Sequence, residues 1–164
     1  MAIVIATVIA TADAWKHERF AEGVPLPFEA RYSEREFARL RNGLVPSAME
    51  DKWFVYYEAP YLFFHRSWTG RPVYRIALEA TGEGAVVAEA LWATEWASAE
   101  NADAAYQATL LDFLISNLLL GQAKPFPRPE GLQEPAPGAF QHHVAGTGYR
   151  EARPSPKKPW WRFW

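Results

Sequence analysis

Apolar and aromatic residues cluster in the middle of the chain in short runs that are typical of β-strands. Residues 52–58 (KWFVYYE) and 61–68 (YLFFHRSW) are rich in aromatic and β-branched side chains, and Pro60 separates the two runs. Residues 73–78 and 85–93 form two further runs, with the turn sequence TGEG between them. Because strands with such short links pair with their neighbours in sequence, we predict a mainly antiparallel, four-stranded meander.

A short helix is predicted before this sheet. Ser33 followed by Glu36 fits a capping box, in which each side chain hydrogen bonds to the backbone N–H of the other residue. Gly43, after an asparagine, is a plausible helix stop. Residues 33–41 are therefore predicted to form a short N-terminal helix.

A long helix is predicted after the sheet, over residues 101–121 (NADAAYQATLLDFLISNLLLG). Asn101 is the candidate N-cap and Gly121 the candidate stop. Leucines recur at helical spacing and form an apolar stripe, so we expect this helix to lie across one face of the sheet. A meander packed against one long helix, with a short helix before it, belongs to the α+β class.

The two ends of the chain differ from its middle. Residues 2–10 (AIVIATVIA) are apolar but only about half as long as a membrane-spanning helix, and they predict a buried strand or a helix start. Eight of the thirteen prolines lie in residues 125–159, a composition that disfavours ladders and long helices. We therefore predict a globular domain at residues 1–122 and a proline-rich extension at residues 123–164.

Composition narrows the possible chemistry. The formal net charge of −2 speaks against a protein that binds nucleic acid through bulk charge. The absence of cysteine excludes disulfides, thiolate metal sites and cysteine nucleophiles. Aromatic residues make up 15% of the chain, including eight tryptophans, so flat side chains are the most abundant recognition groups.

The segment 63–71 (FFHRSWTGR) concentrates cationic and aromatic groups. If Thr69-Gly70 is a two-residue hairpin loop, strand pairing brings four ligand-binding candidates to one face: Arg66, Trp68, Arg71 and Arg75. A longer loop over residues 67–72 stays open, because Pro72 cannot donate a ladder hydrogen bond. Guanidinium groups beside an indole suit a phosphate or carboxylate attached to a planar ring. The alternative is a surface role, in which the arginines lie over aromatic rings and pair with Glu58 or Glu79.

The same register predicts a core on the opposite face of this hairpin. Phe63 then pairs with Ile76, and His65 pairs with Tyr74. A lone histidine in such a place is more often a hydrogen-bonded core residue than a base. His65 and Glu89 are nevertheless the candidate acid or base residues if the protein is an enzyme.

Metal and cofactor chemistry receive no support from the sequence. His142 and His143 are adjacent, so their side chains diverge and cannot form a metal site without other ligands. The chain contains no dinucleotide, P-loop or nucleophile-elbow motif. We therefore predict no metal site and no cofactor.

The last eleven residues (PSPKKPWWRFW) form an aromatic and basic tail. Its candidate partner-binding residues are Trp160, Trp161, Arg162, Phe163 and Trp164. Tryptophan and arginine are common at the centres of protein interfaces, and the same composition suits contact with a membrane surface. A third possibility is that the tail folds back and covers apolar surface of its own domain.

Asp51-Lys52-Trp53-Phe54 and the segment FHRSWTG that begins at Phe64 resemble a signature of small bacterial domains, which occur alone or appended to ADP-ribosylglycohydrolase-type proteins. The resemblance covers residues 49–78. It implies a bacterial cytoplasmic protein connected with nucleotides or ADP-ribose. The acidic catalytic cluster of the glycohydrolases is not visible in this sequence, so the resemblance does not imply hydrolase activity.

Three functional hypotheses follow from the sequence. The first is a non-catalytic cytoplasmic module that binds an anionic small molecule, of nucleotide or ADP-ribose type, on the arginine and tryptophan face. The second is a small enzyme that acts on such a substrate. The third is an interaction protein of the immunity or antitoxin kind, which binds another protein through its aromatic tail.

Overall fold

The computed structural model describes residues 9–48, 50–98 and 102–127 of the chain. Within these ranges the chain forms strands and helices in the following order: β1 (Gly23–Pro25), β2 (Arg31–Ser33), α1 (Glu34–Asn42), β3 (Trp53–Glu58), β4 (Tyr61–Arg66), β5 (Pro72–Thr81), β6 (Gly84–Ala93), α2 (Thr94–Ala97) and α3 (Ala104–Leu114). A π-helical turn (Ile115–Leu119) continues α3.

The strands pair antiparallel in one sheet. β3, β4, β5 and β6 are neighbours in that order, and both β1 and β2 pair with the free edge of β6. The prediction of an antiparallel α+β fold is confirmed, and each of the four predicted segments forms a strand. The described sheet has six strands rather than four. The two additional strands are only three residues long, too short to show an alternating pattern in the sequence.

Helix α1 forms where the capping signals predict it. The Ser33 hydroxyl accepts a hydrogen bond from the Glu36 N–H (3.1 Å), and the Glu36 carboxylate accepts one from the Ser33 N–H (3.0 Å). At the other end Gly43 has a φ of 64°, and its N–H bonds to the Leu40 carbonyl. A Cβ at Gly43 would lie 2.2 Å from the Val55 carbonyl oxygen, so a glycine is needed where the end of α1 meets β3.

Leu44, the residue after this glycine, ties the end of α1 to the outer edge of β3. Its N–H donates to the Val55 carbonyl (2.8 Å), and its own carbonyl accepts from the Val55 N–H (2.9 Å). The chain before α1 is held at the same place, because the Ala10 N–H donates to the Asn42 carbonyl (2.8 Å). Two separate segments therefore converge on the middle of β3.

Helix α3 begins later than predicted. Its N-cap is Asp103, whose carboxylate accepts a hydrogen bond from the Tyr106 N–H (3.1 Å). The predicted cap, Asn101, lies outside the described residues. At the other end the Leu120 N–H bonds to the Ile115 carbonyl, five residues back, in the π-helical turn (3.0 Å). The predicted single long helix is thus an α-helix of eleven residues followed by a π-helical turn.

The π-helical turn places Asn117 where it holds the following segment. The Asn117 side-chain amide donates to the Lys124 carbonyl (2.9 Å), and its oxygen accepts from the Lys124 N–H (3.0 Å). The chain then packs back onto α3, where the Phe126 ring meets the Phe113 ring at 5.1 Å. Residues 123–127 therefore contact the globular part, although the extension is predicted to begin at 123.

The sheet carries a hydrophobic core on each face. The larger core lies between the sheet and helices α1 and α3, and its fully buried side chains include Leu40, Leu62, Ile76, Leu111 and Leu114. The smaller core lies under residues 9–22, here called the strap. Phe54 and Tyr56 form its buried centre, and Trp15 packs against it. Because both faces of β4 are covered, the sequence YLFF reads as a continuous apolar run rather than an alternating one.

The rest of the predicted proline-rich extension, residues 128–164, lies outside the described residues, and so do the tail and the first eight residues. Within the described ranges, no helix has the length and apolar character that would let it cross a bilayer. The boundary at residue 122 and the roles of the tail stay predictions.

Leu114→Ala is expected to lower the free energy of unfolding by about 2–5 kcal/mol, because Leu114 is fully buried in the larger core and its truncation leaves a cavity. Chemical denaturation measures the change. Thr109→Ala, at an exposed position of the same helix, is the control, with an expected change below about 0.5 kcal/mol. A similarly small effect at Leu114 would contradict the packing of α3 on the sheet.

Candidate functional site

The turn between β4 and β5 presents Trp68 to solvent. This indole is 57% exposed, and no other aromatic side chain in the described part of the chain is comparably exposed. The Gly70 N–H bonds to the Arg66 carbonyl (2.8 Å), which closes the turn. Gly70 has a φ of 73°, and a Cβ there would lie 2.9 Å from the Cα of His17. The strap therefore runs directly against the turn that carries Trp68.

The register of the β4–β5 hairpin differs by one residue from the predicted one. Phe64 pairs with Tyr74, whereas a two-residue loop would have paired it with Arg75. The loop is longer than two residues, and Val73 is left without a partner at a β-bulge. A shift of one residue turns each side chain of a strand to the other face. The predicted common face is therefore wrong for the four candidates Arg66, Trp68, Arg71 and Arg75.

Arg66 lies at the rim of the larger core. Its guanidinium carbon is 4.9 Å from the centre of the Trp53 ring, which in turn stacks on Tyr74 at 5.9 Å. Burial lowers the pKa of the guanidinium, and the nearby Tyr74 acts weakly in the opposite direction. These contacts give Arg66 a structural role over an aromatic ring.

Arg75 lies on the opposite face, at the end of the strap. Its guanidinium is 4.3 Å from the centre of the Tyr61 ring and 5.3 Å from that of Phe20. It also forms an ion pair with Glu89 at 3.3 Å. The predicted partners of the arginines are Glu58 and Glu79, whereas Arg75 pairs with Glu89 on the neighbouring strand β6. Arg75 and Glu89, two of the predicted site residues, thus pair with each other.

Beside Trp68 the surface opens into a cleft of about 430 Å³, here called the tryptophan cleft. Its lining residues are Trp15, Lys16, Pro46, Ser47, Ala48, Ser67 and Trp68. They come from three segments: the strap, the loop between α1 and β3, and the β4–β5 turn. The volume lies in the range of small-molecule sites, and two indoles contribute to the walls.

Hydrogen bonds to Ser67 fix the position of the Trp15 side chain. The Trp15 Nε1–H donates to the Ser67 carbonyl (2.7 Å). The Ser67 hydroxyl in turn donates to the Asp51 carbonyl (2.6 Å), and the Ser67 N–H donates to the Lys52 carbonyl (2.9 Å). The strap, the turn and the start of β3 are therefore joined in one network behind the cleft.

The loop between α1 and β3 is organised by the Asp51 side chain. One of its carboxylate oxygens accepts hydrogen bonds from the Ser47 N–H (2.9 Å), the Ser47 hydroxyl (2.9 Å) and the Ala48 N–H (3.3 Å). The donors of Ser47 and Ala48, two lining residues of the cleft, are therefore engaged by Asp51. The carboxylate itself is held in place by them.

Two lysines supply positive charge to the tryptophan cleft. Lys16 is one of its lining residues, and the Lys52 ammonium lies 4.1 Å from the centre of the Trp68 ring. Arg71, in the same turn, faces away toward Glu95 at 3.9 Å. The cations beside Trp68 are therefore lysines rather than the predicted arginines.

His65 is fully buried under the strap and does not line the cleft. Because a carbonyl oxygen can only accept, His65 Nε2–H must donate to the Glu18 carbonyl (2.8 Å), and the buried Nδ1 has no partner. Burial lowers the pKa of His65 to about 4; the bond to Glu18 opposes this shift, and the nearby His17 adds to it. His65 is therefore neutral near pH 7, on the strap face rather than opposite Tyr74.

The two acid–base candidates do not meet in one site. His65 pairs with Pro72 at one end of β5, and Glu89 pairs with Ala77 farther along the same strand. The five steps from Pro72 to Ala77 span about 16 Å at the rise of a β-strand. Joint acid–base chemistry by these two groups has no geometric support.

The sequence reading found Trp68 but missed the other walls of the cleft. Trp15, Lys16 and Ser47 lie in segments without helical or strand periodicity, so no pattern linked them to Trp68. Asp51 and Lys52 stand in the motif on which the family resemblance rests. Their presence in that motif was the one feature of the sequence that pointed to this part of the cleft.

The described residues contain no group of three or more histidine, aspartate or glutamate side chains placed to hold a metal ion. His142 and His143 lie outside the described residues. In comparisons with known proteins, no family model matches the chain, and neither the curated proteins nor the solved structures yield a match.

Lowering the pH from about 6.5 to about 4 is expected to destabilise the protein through His65. In this window the unfolded histidine, with a pKa near 6.5, binds a proton that the folded one, with a pKa of about 4, excludes. The free energy of unfolding then falls by up to about 1.4 kcal/mol per pH unit from this group. His65→Phe is expected to show a shallower pH dependence in denaturation experiments. Lys16→Ala, which keeps His65, should retain the wild-type slope, and an unchanged slope in His65→Phe would contradict the assignment.

Arg66→Ala is expected to lower the free energy of unfolding by about 0.5–2 kcal/mol, because it removes the stem packing and the cation–π contact with Trp53. Arg66→Lys, which keeps a charge and a long stem, should recover part of this loss. Chemical denaturation of the three proteins gives the comparison. Wild-type stability in Arg66→Ala would argue against the structural role.

Proposed function

We propose that the protein is a non-catalytic binding module whose tryptophan cleft takes an anionic group attached to a flat ring. A nucleotide or an ADP-ribose-like molecule has this chemistry. The observation that carries the proposal is the exposed Trp68 indole, which lines the cleft and has the Lys52 ammonium over its ring. Tryptophan is enriched at interfaces, because its indole offers a large apolar face together with a polar N–H.

Indole and lysine side chains suit different parts of such a ligand. A planar ligand ring stacks on an indole, whose polarisable face accepts any aromatic system. Lys16 and Lys52 attract a phosphate or carboxylate that the ring carries. The binding candidates of this proposal are therefore Trp68 together with Trp15, Lys16 and Lys52. Arg66 and Arg75 contact aromatic rings of the fold instead, and Arg71 faces Glu95.

The family resemblance supports the choice of ligands. It is carried by the segments that contain Lys52 and Trp68, and it implies a connection with nucleotides or ADP-ribose. It is also the basis for proposing a bacterial cytoplasmic location. The acid–base candidates His65 and Glu89 do not line the cleft, which favours binding over catalysis.

Trp68→Ala is expected to weaken ligand binding by about five- to 150-fold, because one stacked ring contributes about 1–3 kcal/mol. A thermal-shift screen of ADP-ribose, NAD and mononucleotides selects the ligand, and titration calorimetry gives the dissociation constants. Trp68→Phe keeps an aromatic face and should lose less affinity than Trp68→Ala. Raising the salt concentration should weaken binding, since the lysine contacts are screened.

Arg71→Ala is the matched control for this experiment. Arg71 lies in the same turn as Trp68 but faces Glu95, so its removal should leave the affinity unchanged. Equal binding by Trp68→Ala and wild type would disprove the proposed site. If none of the ligands binds, the interaction-protein hypothesis, with its aromatic tail, becomes the better one.

A further inference from the structure

We infer that the tryptophan cleft does not distinguish one nucleotide base from another: it selects a stackable ring and a negative charge. This inference rests on the proposed function and specifies the ligand class as nucleotides of any base. It follows from how the hydrogen-bonding groups around the cleft are used.

On the side of the strap and the turn, the polar groups bond to one another. The Trp15 Nε1–H is used by the Ser67 carbonyl. The Ser67 N–H and hydroxyl are used by the carbonyls of Lys52 and Asp51. Each of these donors is engaged within the protein, so a base edge that needs one of them would have to displace an existing bond of 2.6–2.9 Å.

On the side of the loop between α1 and β3, the donors are likewise occupied. Both the N–H and the hydroxyl of Ser47 donate to the Asp51 carboxylate, together with the Ala48 N–H. Pro46, the remaining described loop residue of the lining, has no N–H to offer. The N–H and hydroxyl donors of this wall are therefore already engaged within the protein.

Stacking on Trp68 and the charge of the lysines do not distinguish one base from another. Base readout requires donors and acceptors in fixed positions against the base edge, and one good bidentate pair discriminates by about five- to 150-fold. Stacking on an indole serves every base, because every base has a π face. A lysine acts on phosphate as a point charge without a preferred orientation. Ring and charge are thus recognised, while the base edge stays in solvent.

Titration calorimetry of the full 164-residue chain with AMP, GMP, CMP and UMP tests this inference, with ADP-ribose as a fifth titrant. The informative comparisons are AMP with GMP and CMP with UMP. The members of each pair share a ring size, so stacking area nearly cancels and the base edge is what differs. We expect the dissociation constants within each pair to agree within about threefold. Trp68→Ala should weaken the binding of all four mononucleotides by a similar factor.

A larger ratio within either pair would overturn base-independent recognition and leave the proposed function standing. Binding of ADP-ribose but of none of the four mononucleotides would have the same meaning. Failure of all five ligands to bind, or binding that Trp68→Ala does not change, would overturn the proposed function and the inference with it.

Discussion

The strap has no helix or strand of its own, so its buried backbone groups need hydrogen-bond partners outside it. Glu18 meets this constraint with both of its main-chain groups. Its N–H donates to the Gly70 carbonyl (2.8 Å), and its carbonyl accepts from His65 Nε2 (2.8 Å). With Trp15 fixed to Ser67, these bonds hold the strap against the hairpin. The smaller core, the Trp15 wall of the cleft and the neutral state of His65 all depend on this attachment.

The β-bulge at Val73 gives the hairpin its two-sided character. It allows Phe64 and Tyr74 to face the helices, while Phe63 and Arg75 face the strap side. Arg66 and Arg75, which a regular hairpin would have placed on one face with Trp68, thereby lie on opposite faces, where aromatic rings contact their guanidinium groups. Trp68 lies instead beside lysines from two other segments. The bulge at Val73 therefore separates the arginines, so that lysines are the cations near the exposed indole.

Local chemistry was readable in the sequence, and long-range geometry was not. The capping box at Ser33 and the strand-forming runs act within a few residues, so α1 and four strands could be predicted. The π-helical turn depends on the hydrogen bonds between Asn117 and Lys124, and the spacing of apolar residues does not predict that contact. The hairpin register depended on a bulge, a local choice that sequence pattern does not resolve. The cleft combines residues about 15, 47 and 68 positions along the chain, a proximity that only the folded sheet creates.

The short pairing of Leu44 with Val55 also bears on how the protein avoids self-association. β3 is the outermost strand on its side of the sheet, and an unpaired strand edge is a template for another chain. Both main-chain groups of Val55 on that edge are already taken by Leu44, which belongs to no strand. A strand from a second molecule would have to break these bonds before it could add to the sheet. Leu44, which follows the end of α1, therefore also blocks strand addition at the middle of β3, the described strand with the most phenylalanine, tyrosine and tryptophan side chains.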